Sequence, residues 1–386
     1  MVVFVTAFID FITGQNHKNR SVDIYLQYAK NGTLALKSKM IIICEKHLLE
    51  KIKPLRDEKL PTKYVIMEKD EMPISNYMSD RTQLGMRQVV CSKPFFVRDN
   101  IYDDDIYCWI DFGLSHTTTI PSNLGDIISR NFNGKICMIT LANEVYGVQA
   151  LTRNPDVIYK GDYITFAGGG MMIGKAPHWE HLCQLMINSA RNMKEGDVLP
   201  YEEASICLDI LKNPDFYDLY YGVWYNLLSF YTGPPSPHTD LMDSFMKHGH
   251  HKNALNQIDH YYNRMHNIEP ALYHEILLCE QVSSFYTDKE RCMSSQRAMI
   301  NFLYSHSSGK MRLLVDNFFH LANRKFDGDI LYRCDDVSKV PPTDDAKKVA
   351  IYCPNHNPDY RCLYPHNPLV VIKEEHLGNF TTVIDL

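Results

Sequence analysis

No stretch of the 386-residue sequence reaches the ~18 consecutive apolar residues that a membrane-spanning helix needs. The apolar opening, Met1 to Ile9, is cut short by Asp10 and has neither a basic leader nor a small-residue cleavage site. It reads as a buried first strand and not as a signal peptide. No long basic block is present either. Lys and Arg number 40 against 46 Asp and Glu, a net charge of −6, which argues against a chain whose main partner is nucleic acid. No phosphate-binding loop of the G-x-x-x-x-G-K type occurs, which disfavours a nucleotide hydrolase of that class. The 11 cysteines, odd in number and scattered, form no tight framework and read as reduced thiols of a cytoplasmic chain.

What is present is an ordinary globular composition, 45 % apolar and 22 % charged, in a chain long enough for two or three domains. The run Gly233-Pro234-Pro235-Ser236-Pro237 is the clearest hinge, because consecutive prolines continue neither a helix nor a central strand. The reading therefore divides the chain into an α/β domain over residues 1–232, a helical extension over 239–324 and an irregular tail over 325–386, where proline and polar residues interrupt short strand-like pieces.

In the first domain, apolar runs predict strands at residues 2–9, 40–44, 64–67, 106–112 and 136–141. A further strand is expected at 163–166, running into Gly168-Gly169-Gly170. Helices are expected at 21–30, with Ser21 as cap, at 48–52, at 82–90 with Pro94 limiting or kinking its extension, from about Pro177, and at 201–211. The aromatic-rich residues 217–231 fit either type. This β-α-β alternation predicts a sheet covered by helices on both faces. In the extension, Ala254, Ile258, Tyr261, Tyr262 and Met265 fall at helical spacing, as do Leu272, Ile276, Cys279 and Val282. Met299, Phe302 and Leu303 mark a third helix, and Leu313, Leu314, Phe318 and Leu321 a fourth; antiparallel packing is expected.

The most informative stretch is Tyr107-Cys108-Trp109-Ile110-Asp111-Phe112-Gly113-Leu114-Ser115-His116, an apolar strand ending in an acid, a glycine and a polar loop. Ligands of open α/β sheets bind beyond the carboxyl ends of strands. A carboxylate there can hold a cation or a ribose hydroxyl, or simply close a turn. Other clusters read as structural. Asp103-Asp104-Asp105 precedes that strand and belongs at the opposite sheet edge, as a solvated turn. His248-Gly249-His250-His251 lacks a second ligand group. Cys353, His356, Cys362 and His366 have a zinc-like ligand set, but their spacing matches no standard zinc module, so zinc is not expected. Tyr220, Tyr221, Trp224 and Tyr225 suit a sugar platform or, more simply, an aromatic core stripe.

Five blocks occur in order: Val5-Thr6-Ala7-Phe8-Ile9-Asp10, Ser92-Lys93-Pro94-Phe95, Trp109-Ile110-Asp111-Phe112-Gly113, Ala167-Gly168-Gly169-Gly170-Met171-Met172-Ile173-Gly174, and Glu202-Glu203 followed by Ile206 and Leu208. Over about residues 1–231 this set resembles the HtrL/YibB family, whose members are regarded as glycosyltransferase-like proteins of the GT-A type. The resemblance implies a GT-A-like, Rossmann-like mixed sheet with flanking helices, followed here by an α-helical C-terminal region. It implies a nucleotide-sugar donor and a glycan, protein or lipid acceptor. Position by position, it puts Thr6 and Ala7 beside the nucleotide base and Lys93 near the nucleotide or its phosphates. Asp111 takes the place of the metal-binding carboxylate, with Gly113 letting the backbone approach the ligand. Gly168, Gly169 and Gly170 line the donor-sugar or acceptor side, and Glu202 or Glu203 is the catalytic carboxylate at the acceptor hydroxyl. The implied cation is Mn²⁺ or Mg²⁺, held by Asp111 with His116 as an auxiliary donor. The sequence departs from the GT-A pattern here, since Phe112 and Gly113 stand where a second acid is usual. A lone carboxylate holds a hard cation less well. The competing reading is a non-catalytic GT-A-like protein whose helical region binds a partner.

Overall fold

The computed structural model describes residues 1–11, 21–78, 85–103, 105–141, 146–222, 240–264, 270–288, 290–292, 294–295, 298, 328–333, 349–352 and 380–385. The chain forms two compact units, 1–244 and 245–386.

Seven strands build the sheet of the first unit: β1 (Val2–Phe8), β2 (Lys39–Cys44), β3 (Thr62–Ile66), β4 (Ile106–Ile110), β5 (Ile136–Leu141), β6 (Ala167–Gly174) and β7 (Tyr217–Gly222). Their order is β3-β2-β1-β4-β6-β5-β7. Strand β6 pairs antiparallel with both β4 and β5, whereas the other pairings are parallel. The helices are α1 (Val22–Asn31), α2 (Lys46–Ile52), α3 (Met86–Arg98), α4 (Leu124–Asn131), α5 (Tyr146–Arg153), α6 (Ala176–Arg191) and α7 (Glu202–Lys212). The expected mixed sheet with flanking helices is thus the observed one.

Both sheet faces are buried, which is why the strands read as continuous apolar runs rather than alternating ones. On one face, Phe4, Ile42, Cys108, Ile110 and Ile139 share a core with Leu26 and Ala29 of α1 and with Leu124 and Ile128 of α4. On the other, α3 packs on β1 and β4, and Phe96 stacks on Trp109 at 5.9 Å. The entry to β2 is fixed by Arg56. Its buried guanidinium donates to the carbonyls of Leu34, Leu36 and Ser38 at 2.8–3.0 Å, and its Nε to Thr62 Oγ1 at 2.6 Å.

Two expectations need correction. Pro94 does not limit its helix; it lies inside α3. A proline there forfeits one intrahelical hydrogen bond, and burial of Phe95, Phe96 and Val97 immediately after it outweighs that loss. The strand expected at 163–166, in turn, lies further along, at Ala167–Gly174. Gly168, Gly169 and Gly170 are themselves buried residues of β6. The undecided segment 217–231 is a strand over Tyr217–Gly222, with Tyr220 fully buried; Trp224 and Tyr225 lie outside the described residues.

Helix α8 (Asp240–Lys247) lies at the division between the units. The second unit contains α9 (His251–Arg264) and α10 (Pro270–Thr287), which pack together. Ala254 and Ile258 of α9 and Ile276, Cys279 and Val282 of α10 are buried, as their spacing predicts. Three strands, β8 (Gly328–Arg333), β9 (Val349–Tyr352) and β10 (Phe380–Asp385), pair in parallel in the order β10-β8-β9, within the stretch expected to be irregular. The marker residues of the third and fourth expected helices, and Cys353, His356, Cys362 and His366, lie outside the described residues. Among the described residues, no helix is long and apolar enough to cross a membrane.

Candidate functional site

The sheet's one reversed strand makes the site. Because β6 runs against β4, the glycines that begin β6 lie beside the carboxyl end of β4, where Asp111 follows Ile110. The Asp111 N–H donates to the Gly170 carbonyl at 2.8 Å and extends the ladder by one step. Its side chain is half-buried and its Oδ1 accepts from Trp109 Nε1 at 2.8 Å.

From α3, Lys93 enters the same place and is almost wholly buried. Its Nζ lies 3.0 Å from Asp111 Oδ1, 2.6 Å from Glu202 Oε1 and 3.1 Å from the Gly169 carbonyl. Burial alone lowers a lysine pKa, but the charges of Asp111, Glu202 and Glu203 outweigh it, and the ammonium is held well above its ordinary value.

The twin glutamates occupy the first turn of α7, where acids also favour the helix dipole. Both are buried. Glu203 Oε1 accepts from Gly169 N–H at 2.6 Å, and its Oε2 accepts a short bond from the Tyr163 hydroxyl. Glycine is required at 169 for a steric reason. A Cβ there would stand 2.5 Å from Glu202 Oε1 and 3.0 Å from Glu203 Cγ. Burial, reinforced by the Glu202 charge, raises the Glu203 carboxyl from 4.5 to about 7, against the opposing pull of Lys93, Tyr163 and Gly169.

That shift has a thermodynamic sign. The folded chain holds the Glu203 proton more tightly than the unfolded chain, so the stabilisation is full below about pH 4.5 and is lost as pH rises through about 7. Urea unfolding across this window is expected to show wild type losing stability relative to Glu203→Gln as pH rises. Parallel pH profiles for the two proteins would remove the basis for the shift.

The remaining predicted residues lie elsewhere around this strand end. Thr6 is fully buried on β1, opposite Ile42, and Ala7 beside it is half-buried. Thr6 Oγ1 has no hydrogen-bond partner among the described residues. Replacing it with the isosteric valine is expected to stabilise the unit by about 1 kcal/mol in denaturant melts, since a buried unpaired hydroxyl costs roughly that much. A loss of stability instead would reveal a partner for the hydroxyl. Gly113 is pressed against the Tyr25 ring, and a Cβ there would sit 2.6 Å from it. His116 Nδ1 lies 2.6 Å from the Gly113 carbonyl, and its ring packs on Tyr28. A carbonyl only accepts, so Nδ1 carries the proton there.

The expected Mn²⁺ or Mg²⁺ at Asp111 and His116 does not fit this donor set. Asp111 Oδ1 already serves Lys93 and Trp109, and an ammonium stands 3.0 Å away. Among the described residues, no group of three or more His, Cys, Asp and Glu side chains is arranged to hold a metal ion. Asp105 pairs with the chain's amino terminus at 2.9 Å and Asp103 accepts from the Tyr107 hydroxyl at 2.9 Å, which places that acidic turn at the opposite end of β4.

Sequence reasoning missed two members of the site. Trp109 stands in what the sequence marks only as an apolar strand, yet its indole N–H orients Asp111. Tyr163, 38 % exposed, was expected within a strand, yet it joins Glu203 to the surface and packs edge-on against Tyr201 at 5.2 Å. No periodicity marks either role; an indole two residues before an acid is the only hint for Trp109.

Comparison with known proteins gives a partial family match and distant structural neighbours, among them the following two. No curated protein matches the chain. Mouse xyloside xylosyltransferase 1, in its apo form, aligns with a TM-score of 0.35 and 11 % identity over 56 % of this chain and 83 % of its own. The 4-diphosphocytidyl-2C-methyl-D-erythritol synthase of Anaerococcus prevotii DSM 20548 aligns with a TM-score of 0.31 and 11 % identity over 66 % of this chain and 98 % of its own. The model of a bacterial protein of unknown function (HtrL_YibB) matches residues 75–233, a span that holds Lys93, Asp111, the β6 glycines and both glutamates but not β1. Over residues 75–233 this chain is therefore similar to the HtrL_YibB family.

Proposed function

We propose that the first unit is a glycosyltransferase that moves a sugar from a nucleotide-sugar donor to a hydroxyl of a glycan, protein or lipid acceptor. One observation carries the reading. A half-exposed carboxylate, Asp111, and a carboxyl poised near neutrality, Glu203, are gathered at the carboxyl end of β4 by Lys93 and the Gly169 backbone. Strand ends of α/β sheets are where such ligands bind. The motif blocks' resemblance to glycosyltransferase-like proteins supports it.

Asp111 serves as the acceptor for a donor hydroxyl. Glu203 serves as general base in a displacement with inversion, and a pKa near the working pH suits that task. The acceptor hydroxyl passes its proton to the Tyr163 oxygen as Tyr163 passes its own to Glu203 Oε2. The acceptor oxygen bonds to the sugar carbon, and the bond from that carbon to the diphosphate breaks with its electron pair leaving on phosphate.

Calorimetric titration with the common UDP- and GDP-sugars is expected to find one that binds, and Asp111→Ala to abolish its turnover with the melting temperature little changed. Glu203→Gln is expected to slow transfer about 10²–10⁴-fold, the usual worth of a general base. A folded protein that binds no donor ends the proposal.

A further inference from the structure

We infer that the Lys93 ammonium is the resident cation of a three-oxygen cradle, and that the site takes no divalent metal while Lys93 fills it. The cradle consists of Asp111 Oδ1, Glu202 Oε1 and the Gly169 carbonyl, at 3.0, 2.6 and 3.1 Å from Nζ. An ammonium has three N–H donors and no acceptor, so these three oxygens use all of them. The three groups come from β4, α7 and β6, and the lysine from α3; four elements converge on one charge.

Such a convergence of oxygens is what a hard cation seeks, yet Mg²⁺ and Ca²⁺ want six or more. A divalent ion on Asp111 would meet a positive charge about one hydrogen bond away, in a setting too dry to screen it. Lys93 is 4 % exposed, so it does not swing aside at the surface to make room. The other expected donor, His116, bonds the Gly113 carbonyl through Nδ1 and packs its ring on Tyr28. Two negative charges, Asp111 and Glu202, are thus served by a cation that is part of the chain, and Lys93 is a positioning residue that holds Asp111 to the β6 backbone. This inference concerns the carboxylate cluster and stands apart from the transfer reading.

Electron paramagnetic titration with Mn²⁺ alone tests it directly. Wild type is expected to show no saturable Mn²⁺ site that Asp111→Asn removes. Lys93→Met is expected to gain one, because the vacated cradle keeps its carboxylates. Mn²⁺ is then expected to raise the melting temperature of Lys93→Met while leaving wild type unchanged, and the double variant Lys93→Met/Asp111→Asn loses the gain. A wild-type Mn²⁺ site that disappears in Asp111→Asn overturns the inference, as does a folded Lys93→Met protein that binds no Mn²⁺. If Lys93→Met does not fold, wild type against Asp111→Asn still decides. Titration of UDP and of GDP in EDTA and in Mn²⁺ adds a second arm. Equal affinities in the two buffers support the inference, and binding that requires Mn²⁺ overturns it. Absence of any nucleotide binding counts against the transfer reading alone.

Discussion

Lys93→Met is expected to destabilise the first unit by about 3–5 kcal/mol, the cost of stranding a buried charge by removing its partner. Most of that comes from Glu202, whose side chain is 2 % exposed and 2.6 Å from Nζ. Asp111, half in water, contributes less because solvent screens it. Urea unfolding at neutral pH measures the loss. A companion Lys93→Met/Glu202→Gln variant is expected to recover part of it, because the amide needs no countercharge. If Lys93→Met unfolds at the same urea concentration as wild type, the ammonium is not what balances these acids.

Trp109→Ala is expected to cost a comparable ~3–5 kcal/mol, the range for removing a large aromatic from a core. The indole lies on β4 between β1 and β6, 2 % exposed and stacked on Phe96. Its second role separates from the first in Trp109→Phe. That variant keeps most of the packing but loses the N–H that holds Asp111 Oδ1 at 2.8 Å. Its stability is expected to fall by only about 1 kcal/mol, the typical net value of one hydrogen bond. Donor affinity is expected to fall further than that. A Phe variant with wild-type affinity would show that the indole N–H does not orient the carboxylate.

The sequence was informative about which residues matter and poor about how they meet. Asp111, Lys93, Glu202, Glu203 and Gly169 all stood out in short blocks, and the structure brings all five within one set of hydrogen bonds. The strands of the parallel half were readable because burial on both faces leaves long apolar runs. The direction of β6 was not, since an apolar run looks the same whichever way its neighbours point. Pro94 and the β6 glycines misled for a common reason. Local propensity disfavours them in a helix interior and a strand, and tertiary packing overrides it. In α3 the override is the buried Phe95-Phe96-Val97 segment; at Gly169 it is the room that Glu202 needs.

The separation of 109 positions between Lys93 and Glu202 sets an order of events during synthesis. At ~5–20 residues per second on the ribosome, the lysine emerges about 5–20 s before the glutamate that pairs with it. Strands β1 to β4 and helix α3 are all made before β6 and α7. The nascent half-sheet therefore waits with Lys93 held by Asp111 alone, and docking of α7 brings the second carboxylate.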